Sequence, residues 1–348
     1  MDILIPQALA NLTSNLTGSP LDEWSDVTTY AVDDEIKVSA SSPPSSVTHT
    51  YRSLVAGNLN NDPASSPDKW LDLGPDNLYA MLDDRGGTYS VSDETDVPLW
   101  SDATTYAKYA LVLVQDGDHY DLYQSRQNSN LNHAPASSAS WWLPIGTAAY
   151  PSSGQLVLEF YTLGSDVVVV LGMGDVDAVY VRQAHDASSQ DMVTGRQDIV
   201  IPIGDGDNPD LPSAVHHISV IMLRSATSAN ATCGSLFACR RLASIGTAKY
   251  GANTGIIDFS KKITDDFGQT YLRQGSYAKR ATLDIDVPSS QMNEVYRTLV
   301  SVRGQAVVWY EPEGQFEPLL IYGFFKEFSI VIAGPSVCKC SLEIEGLT

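Results

Sequence analysis

Seven side chains carry the chemistry that this sequence offers most plainly: Trp70, Trp141, Trp142, Tyr30, Tyr106, Asn60 and Asn132. A flat indole or phenol ring stacks on the apolar C–H face of a pyranose, and an amide beside it hydrogen-bonds the hydroxyls at the edge. The tryptophans and asparagines lie in polar loops with proline and serine, "NLNNDPASSPDKW" ending at Trp70 and "NLNHAPASSASWW" ending at Trp142. Those residue types in that order point to saccharide binding. A small core makes the same demand for rings, however. Trp24, Trp70, Trp100 and Trp142 recur at equivalent positions, as core residues do, and Tyr30 and Tyr106 fit either role. Trp141 occurs in one loop only, which makes it the best candidate for an exposed platform.

Other reactive residues do not assemble into a site on paper. "GDGDNPD" places Asp205, Asp207 and Asp210 like a calcium loop, but without the later glutamate such a loop uses. His216 and His217 are adjacent in a strand-like run, so their side chains point to opposite faces and make a poor metal pair. Glu159, Asp284, Asp286, Glu343 and Glu345 lie in alternating runs and are expected to face solvent, whereas glycoside hydrolysis needs two carboxylates in one cleft. Four cysteines, Cys233, Cys239, Cys338 and Cys340, lack the C-x2-C spacing of a zinc site and read as buried free thiols. The expectation is a non-catalytic chain with no metal and no cofactor.

Bulk charge narrows the partners. The formal net charge is −21, from 42 acidic and 21 basic residues. Nucleic acid needs a basic footprint, and so does docking on anionic lipid, so neither is expected. The N-terminal stretch has no basic segment followed by an apolar one, which leads us to expect folding in a cytoplasm without membrane insertion.

The elements that must position the seven side chains come as a repeat. "WSDVTTYA" at Trp24 returns as "WSDATTYA" at Trp100, and "YRSLVAGNLNNDPASSPDKWLDLG" from Tyr51 matches "YQSRQNSNLNHAPASSASWWLPIG" from Tyr123 at 12 of 24 positions. Two copies of one small module follow. Each holds short β-like runs, "EIKVSA" and "THTYRSLV" in one, "ALVLVQ" and "YDLYQS" in the other, with an Asp-Gly hairpin signal in the second. From about residue 150 come the Val/Ile-rich runs "QLVLEFYTL", "DVVVVLGM", "DAVYVRQ", "DIVIPIG" and "HHISVIML", which predict a jelly-roll-like β-sandwich. Further on, Met292, Val295, Leu299 and Val302 form one helical stripe, with Ser290 placed to cap it and Gly304 to end it. Three more strand-like runs follow. The predicted class is mainly β: an N-terminal arm over 1–21, modules over 22–75 and 98–147 with a linker over 76–97, the sandwich over 148–243, and an α+β region over 244–348.

The module pattern, a tryptophan, a tyrosine, a strand pair, Tyr-x-Ser, an Asn/Pro loop and a closing tryptophan, resembles the small chitin-binding-type carbohydrate-binding modules of families five and twelve. Trp141-Trp142 is similar to that family's closing aromatic pair, where the first copy has Lys69-Trp70. The stretch "YGANTGIIDFSKKITDDFG" and the ending "YGFFKEFSIVI…CSLEIEGL" resemble the C-terminal region of tailed-bacteriophage tail or baseplate virion proteins. That resemblance implies tail docking through residues such as Tyr250, Asp258, Lys262, Asp265 and Asp266, with Phe324 and Phe325 in an apolar run that wants a partner. A second module departs from the family pattern. The implied protein is a virion component, assembled in the bacterial host cytoplasm as a trimer or ring with other tail proteins, whose projecting modules weakly bind host surface polysaccharide or lipopolysaccharide. The alternatives are a tail protein whose modules only pack or space, and a secreted polysaccharide-degrading enzyme.

Overall fold

The computed structural model describes residues 1–16, 18–39, 48–78, 80–83, 90–92, 97–116, 119–148, 156–174, 176–183, 190–192, 197–203, 215–224, 230–248, 251–264, 270–312, 316–332 and 334–347. The chain is mainly β, with two small modules, a central sandwich and a C-terminal α+β region. Asp205, Asp207, Asp210, Tyr250, Asp265 and Asp266 lie outside the described residues.

Each module forms the sheet that its alternation predicts. Glu35–Val38, His49–Ser53 and Trp70–Pro75 pair antiparallel in the first. Leu111–Asp116, His119–Ser125 and Trp142–Ala148 do so in the second. A shorter pairing flanks each sheet, Thr29–Tyr30 with Asn58–Leu59 in one copy and the bridge Tyr106–Asn130 in the other.

The five Val/Ile-rich runs all become strands. Gln190–Met192, Val176–Gln183, Val215–Arg224, Leu156–Leu163 and Leu9–Ser14 make one sheet. Ile199–Pro202, Val167–Leu171 and Ser235–Ser244 begin the opposing one. Successive side chains alternate across a strand, so Leu156, Leu158 and Phe160 of the first sheet meet Val168, Val170 and Leu236 of the second in a shared apolar core.

The opposing sheet continues past the sandwich. Ser235–Ser244 pairs with Asp2–Pro6, which pairs with Val307–Tyr310, and the ladder runs on through Ile321–Ile332, Val337–Gly346 and Tyr277–Pro288. Residues 1–21, expected as an arm, thus supply a central strand to one sheet and an edge strand to the other. The boundary expected at 243/244 falls within this continuous ladder. The apolar run "DILIP" has both faces covered: Ile3 enters the C-terminal core and Leu4 a second cluster with Val169, Phe237 and Val308. The stretch 76–97 is also tied down. Met81 and Leu82 sit in the sandwich core, and Ser90–Val91 pairs with Thr232–Cys233.

The helix spans Met292–Ser301 and buries Val295 and Leu299, with Val302 also buried just past its end. Its N-cap is Gln291 rather than Ser290, without a side-chain cap bond, because the turn from Pro288 to Gln291 carries the chain into the first helical turn. Gly304 follows in the left-handed region at φ 66°. Cys338 and Cys340 point inward together, as their spacing requires, and all four cysteines are free and buried.

The two modules differ in what lies behind them. The outward positions of the first sheet are Glu35, Lys37, Thr50, Arg52, Leu71 and Leu73, and Arg52 pairs with Glu35 at 2.7 Å. The same positions in the second are Leu111, Leu113, Leu122, Gln124, Leu143 and Ile145. Leu113, Leu122 and Ile145 pack against Val157, Ala178, Tyr180 and Ile221 on the outer face of the five-stranded sheet. The second module is therefore docked on the sandwich by an apolar back face. The first has its own core of Tyr30, Ile36, Tyr51 and Trp70.

Candidate functional site

Most of the rings expected to meet sugar hold the modules together instead. Trp70 and Trp142 are only 2% and 1% exposed. Trp70 Nε1 donates to Asn61 O at 2.9 Å, and Trp142 Nε1 to His133 O at 2.7 Å. Tyr30 packs edge-on to Trp70 with ring centroids 5.2 Å apart, and Tyr106 to Trp142 at 5.3 Å. Both tyrosine hydroxyls accept a backbone N–H, from Ser25 and from Ser101, each at 2.8 Å. A module of about 50 residues buries little area, so large aromatics must fill its core. These four residues are corrected from candidate ligand contacts to core.

The asparagines act through the backbone. Asn60 and Asn132 are exposed and adopt φ of 56° and 57°, the left-handed conformation that Asn tolerates better than most residues. The preceding Asn58 and Asn130 are the buried ones: each donates from Nδ2 to a serine hydroxyl, Ser53 at 3.1 Å and Ser125 at 3.0 Å, locking the loop to the sheet. Sequence spacing had not separated these roles, since "NLN" reads the same at both ends.

Trp141 remains half-buried, and its indole stacks on His133 at a centroid distance of 3.9 Å and 15° between planes. The first copy has Asn61 and Lys69 at these positions, so the stacked pair exists in one module alone. The pair presents a flat π surface beside the exposed Asn132.

Of the residues expected to dock on a tail, the two described charged ones are exposed. Asp258 serves a local purpose: its carboxylate accepts Ser260 N at 2.8 Å, and bonds from the Ser260 side chain and backbone hold its pKa below the usual carboxylate range. Ser260 Oγ accepts the N–H of Gly275 at 3.0 Å, and a Cβ on Gly275 would lie 2.6 Å from the Phe259 backbone. This close crossing starts the two-stranded extension Lys261–Thr264 with Thr270–Arg273, which carries the exposed Lys262 and Leu272. Phe325 is half-buried against Trp309 and Phe328, and Phe324 is half-buried as well. These phenylalanines are partly spent inside the protein.

The structure also assembles a cleft of about 410 Å³ at the edge of the seam between the second module and the sandwich. Lys108, Tyr109, Asn15 and Glu159 line it. Glu159, expected to face solvent, is 3% exposed because the docked module covers that face of its strand. Gln124 Nε2 donates to its Oε1 at 2.8 Å, while Oε2 is buried, has no hydrogen-bond donor among the described residues and lies 3.7 Å from His217 Nε2. His217 stacks on Tyr161 at 4.6 Å and meets Tyr109 edge-on at 5.7 Å. Lys108 Nζ sits over the Tyr109 ring, 4.6 Å from its centroid, and bonding to Tyr109 raises the lysine pKa despite some desolvation. One sequence signal pointed here: Lys108, Tyr109 and Gln124 replace Val32, Asp33 and Arg52 of the first copy. No protein-family model matches this chain, and comparison with curated proteins gives no match.

Proposed function

We propose that this chain is a structural component of a bacteriophage tail tip or baseplate that also contacts bacterial surface glycan weakly during adsorption. The observation that carries the glycan half is the stacked Trp141–His133 pair, added to one copy of an otherwise duplicated loop over a tyrosine–tryptophan ring pair that both copies share. A half-exposed indole with a polar loop beside it offers the apolar-face stacking that a pyranose takes. The tail half rests on the resemblance of the C-terminal region. It is supported by the exposed two-stranded extension, since an isolated strand pair is at best marginally stable in water and gains from a partner. A single such site binds weakly, and copies on a symmetric particle raise the effective concentration.

A second reading, packing or spacing modules without sugar binding, draws support from the burial of Trp70, Trp142, Tyr30 and Tyr106. The two are separated by presenting the full chain as a multimer on beads and measuring retention of host lipopolysaccharide and capsular polysaccharide. Retention that Trp141→Ala abolishes supports adsorption; no retention by the wild-type multimer leaves the spacer reading. Immunogold labelling of virions with antibody to residues 246–348 tests the tail assignment, and bare tails would refute it.

A further inference from the structure

We propose that the saccharide taken at Trp141 is anionic, a ring bearing a carboxylate or a phosphate that the Arg126 guanidinium holds beside the indole. The inference rests on the glycan-binding reading above and adds the chemical class of the sugar.

The two loops share one pattern, so the charges that differ between them mark what the second one does. Residues 54–69 of the first copy carry Asp62, Asp68 and Lys69, whereas 126–141 of the second carry Arg126 as their single formal charge. The net sign of the loop thus turns from negative to positive, in a chain whose formal charge is −21. The acids of the second module, Asp102, Asp116, Asp118 and Asp121, all lie outside that stretch. The exchanges gather around the stacked pair. Leu54, Asn61 and Lys69 give way to Arg126, His133 and Trp141, and Asp62 and Asp68 to Ala134 and Ser140.

The carboxylates missing from the second loop have local uses in the first. Asp62 Oδ1 accepts from the N–H and the hydroxyl of Ser65, each at 3.0 Å, and Asp68 pairs with Lys69 at 3.1 Å. At the matching Ala134 no side chain caps the turn. A carboxylate cap stabilises such a turn. The second loop therefore forgoes a stabilising bond at a place where a carboxylate would repel an anion.

Arg126 is built into the platform. Its backbone N–H donates to Trp141 O at 2.9 Å, one step beyond the Ser125–Trp142 pair of the ladder, and opposed residues of an antiparallel pair project to the same side. Its Nη1 donates to Ala139 O at 3.1 Å, and the neighbouring Gln127 Nε2 donates to Ser140 O at 2.9 Å. Main chain and guanidinium are thus both fastened to the segment that ends in Trp141. The side chain stays exposed and forms no ion pair among the described residues, which leaves the rest of its donor fork for a ligand. That fork matches a carboxylate or phosphate through paired hydrogen bonds, while the indole takes the C–H face of the ring that carries the anion. A single cation is not the basic track that a nucleic-acid backbone needs, which favours a sugar.

Saturation-transfer NMR on the full chain tests this, with D-glucuronate, D-glucose 6-phosphate, neutral D-glucose and oligothymidylate as probes, beside host polysaccharide retention on the multimer. At least one sugar anion should bind about tenfold more tightly than D-glucose, the worth of one charge-assisted contact. Added salt should shrink that preference, and which anion shows it separates carboxylate from phosphate. Arg126→Gln, which can still donate to Ala139 O, should bring the anion down to the level of D-glucose and leave D-glucose itself unchanged; an Arg126 that only held the loop would lower both alike. Arg126→Lys should keep part of the preference, and Trp141→Ala should remove anion and neutral sugar together. Arg52→Gln takes the same charge from the first module and should change nothing. Host polysaccharide retention through Trp141 without any preference for a sugar anion, or with a preference that survives Arg126→Gln, overturns the anionic class and spares the adsorption reading. An anion preference that Arg126→Gln removes, without host polysaccharide retention, supports the site and overturns adsorption. Tighter binding of oligothymidylate than of either sugar anion overturns the saccharide in favour of nucleic acid. No binding of any probe overturns the inference as well.

Discussion

Removing the Trp142 indole should unfold the second module, whereas removing its neighbour Trp141 should not. Trp142 is 1% exposed, packs on Tyr106 and donates its N–H to His133 O at 2.7 Å. A buried tryptophan cut to alanine costs about 3–5 kcal/mol in transfer and cavity terms, and the lost hydrogen bond adds about 1 kcal/mol. Trp141 is half-buried, and its stacking on His133 is worth about 0.5–1.5 kcal/mol. A small core of this size supplies roughly 3–5 kcal/mol in all, so Trp142→Ala removes most of it and Trp141→Ala a minor share. Native-state hydrogen exchange by mass spectrometry reads this directly. Amides of Leu111–Asp116, His119–Ser125 and Trp142–Ala148 should lose protection in Trp142→Ala, while those of Leu156–Leu163 keep theirs. The same comparison at Trp70 should give the same loss in the first module, because the bond and ring geometry repeat. Equal protection in Trp142→Ala and wild type would refute the assignment of this residue to the core. So would a Trp141→Ala variant as damaged as Trp142→Ala.

Other outcomes follow from single positions. Asn132→Ala should cost about 1–2 kcal/mol through its positive φ, and Asn132→Gly about nothing; urea unfolding monitored in the second module distinguishes them, and equal loss would point to a lost side-chain contact. Gly323→Ala should prevent the Ile321–Ile332 and Val337–Gly346 strands from pairing locally, since a Cβ there would press on Glu345 O and Gly346 Cα at 2.6 Å or less; a soluble variant with unchanged hydrogen exchange along those strands would contradict this. Burial raises the thiol pKa of Cys233 and Cys239 above the ordinary range and pushes that of Cys340 up to about 11. A thiol reagent at pH 8 should therefore label the native chain far more slowly than the unfolded one, in which all four cysteines react. The Asp258 carboxyl has a lowered folded pKa, so the stability it gives is present above the ordinary carboxylate range and is lost as pH falls through the folded value. Exchange of the Ser260 amide should accelerate at low pH relative to its neighbours in wild type, and that acceleration should be missing in Asp258→Asn.

Local pattern carries far in this chain, and its limits fall at definite residues. The alternating and Val/Ile-rich runs become strands, and the stripe Met292, Val295, Leu299 and Val302 becomes the helix, because side-chain period is set by backbone geometry within a few residues. The repeat also shows where a module needs its rings and its left-handed turns: Asp33 and Tyr109, Gly57 and Ser129, and Asn60 and Asn132 share positive φ in register. It does not say whether a recurring ring is core or platform, because both demands select the same residue types.

What the amino-acid sequence determined alone is the β class, the duplication and the difference between the copies, all of which are written in neighbouring residues. What tertiary structure decided is the meaning of that difference. Leu113, Leu122 and Ile145 replace Lys37, Thr50 and Leu73 because the second module leans on Val157, Tyr180 and Ile221, and only that contact turns Glu159 from a surface carboxylate into a buried one. Asp2–Pro6 likewise becomes a central strand only by pairing with Ser235–Ser244 and Val307–Tyr310, more than two hundred residues away. Burial and pairing of this kind belong to two distant segments at once, and neither segment encodes its partner in its own periodicity.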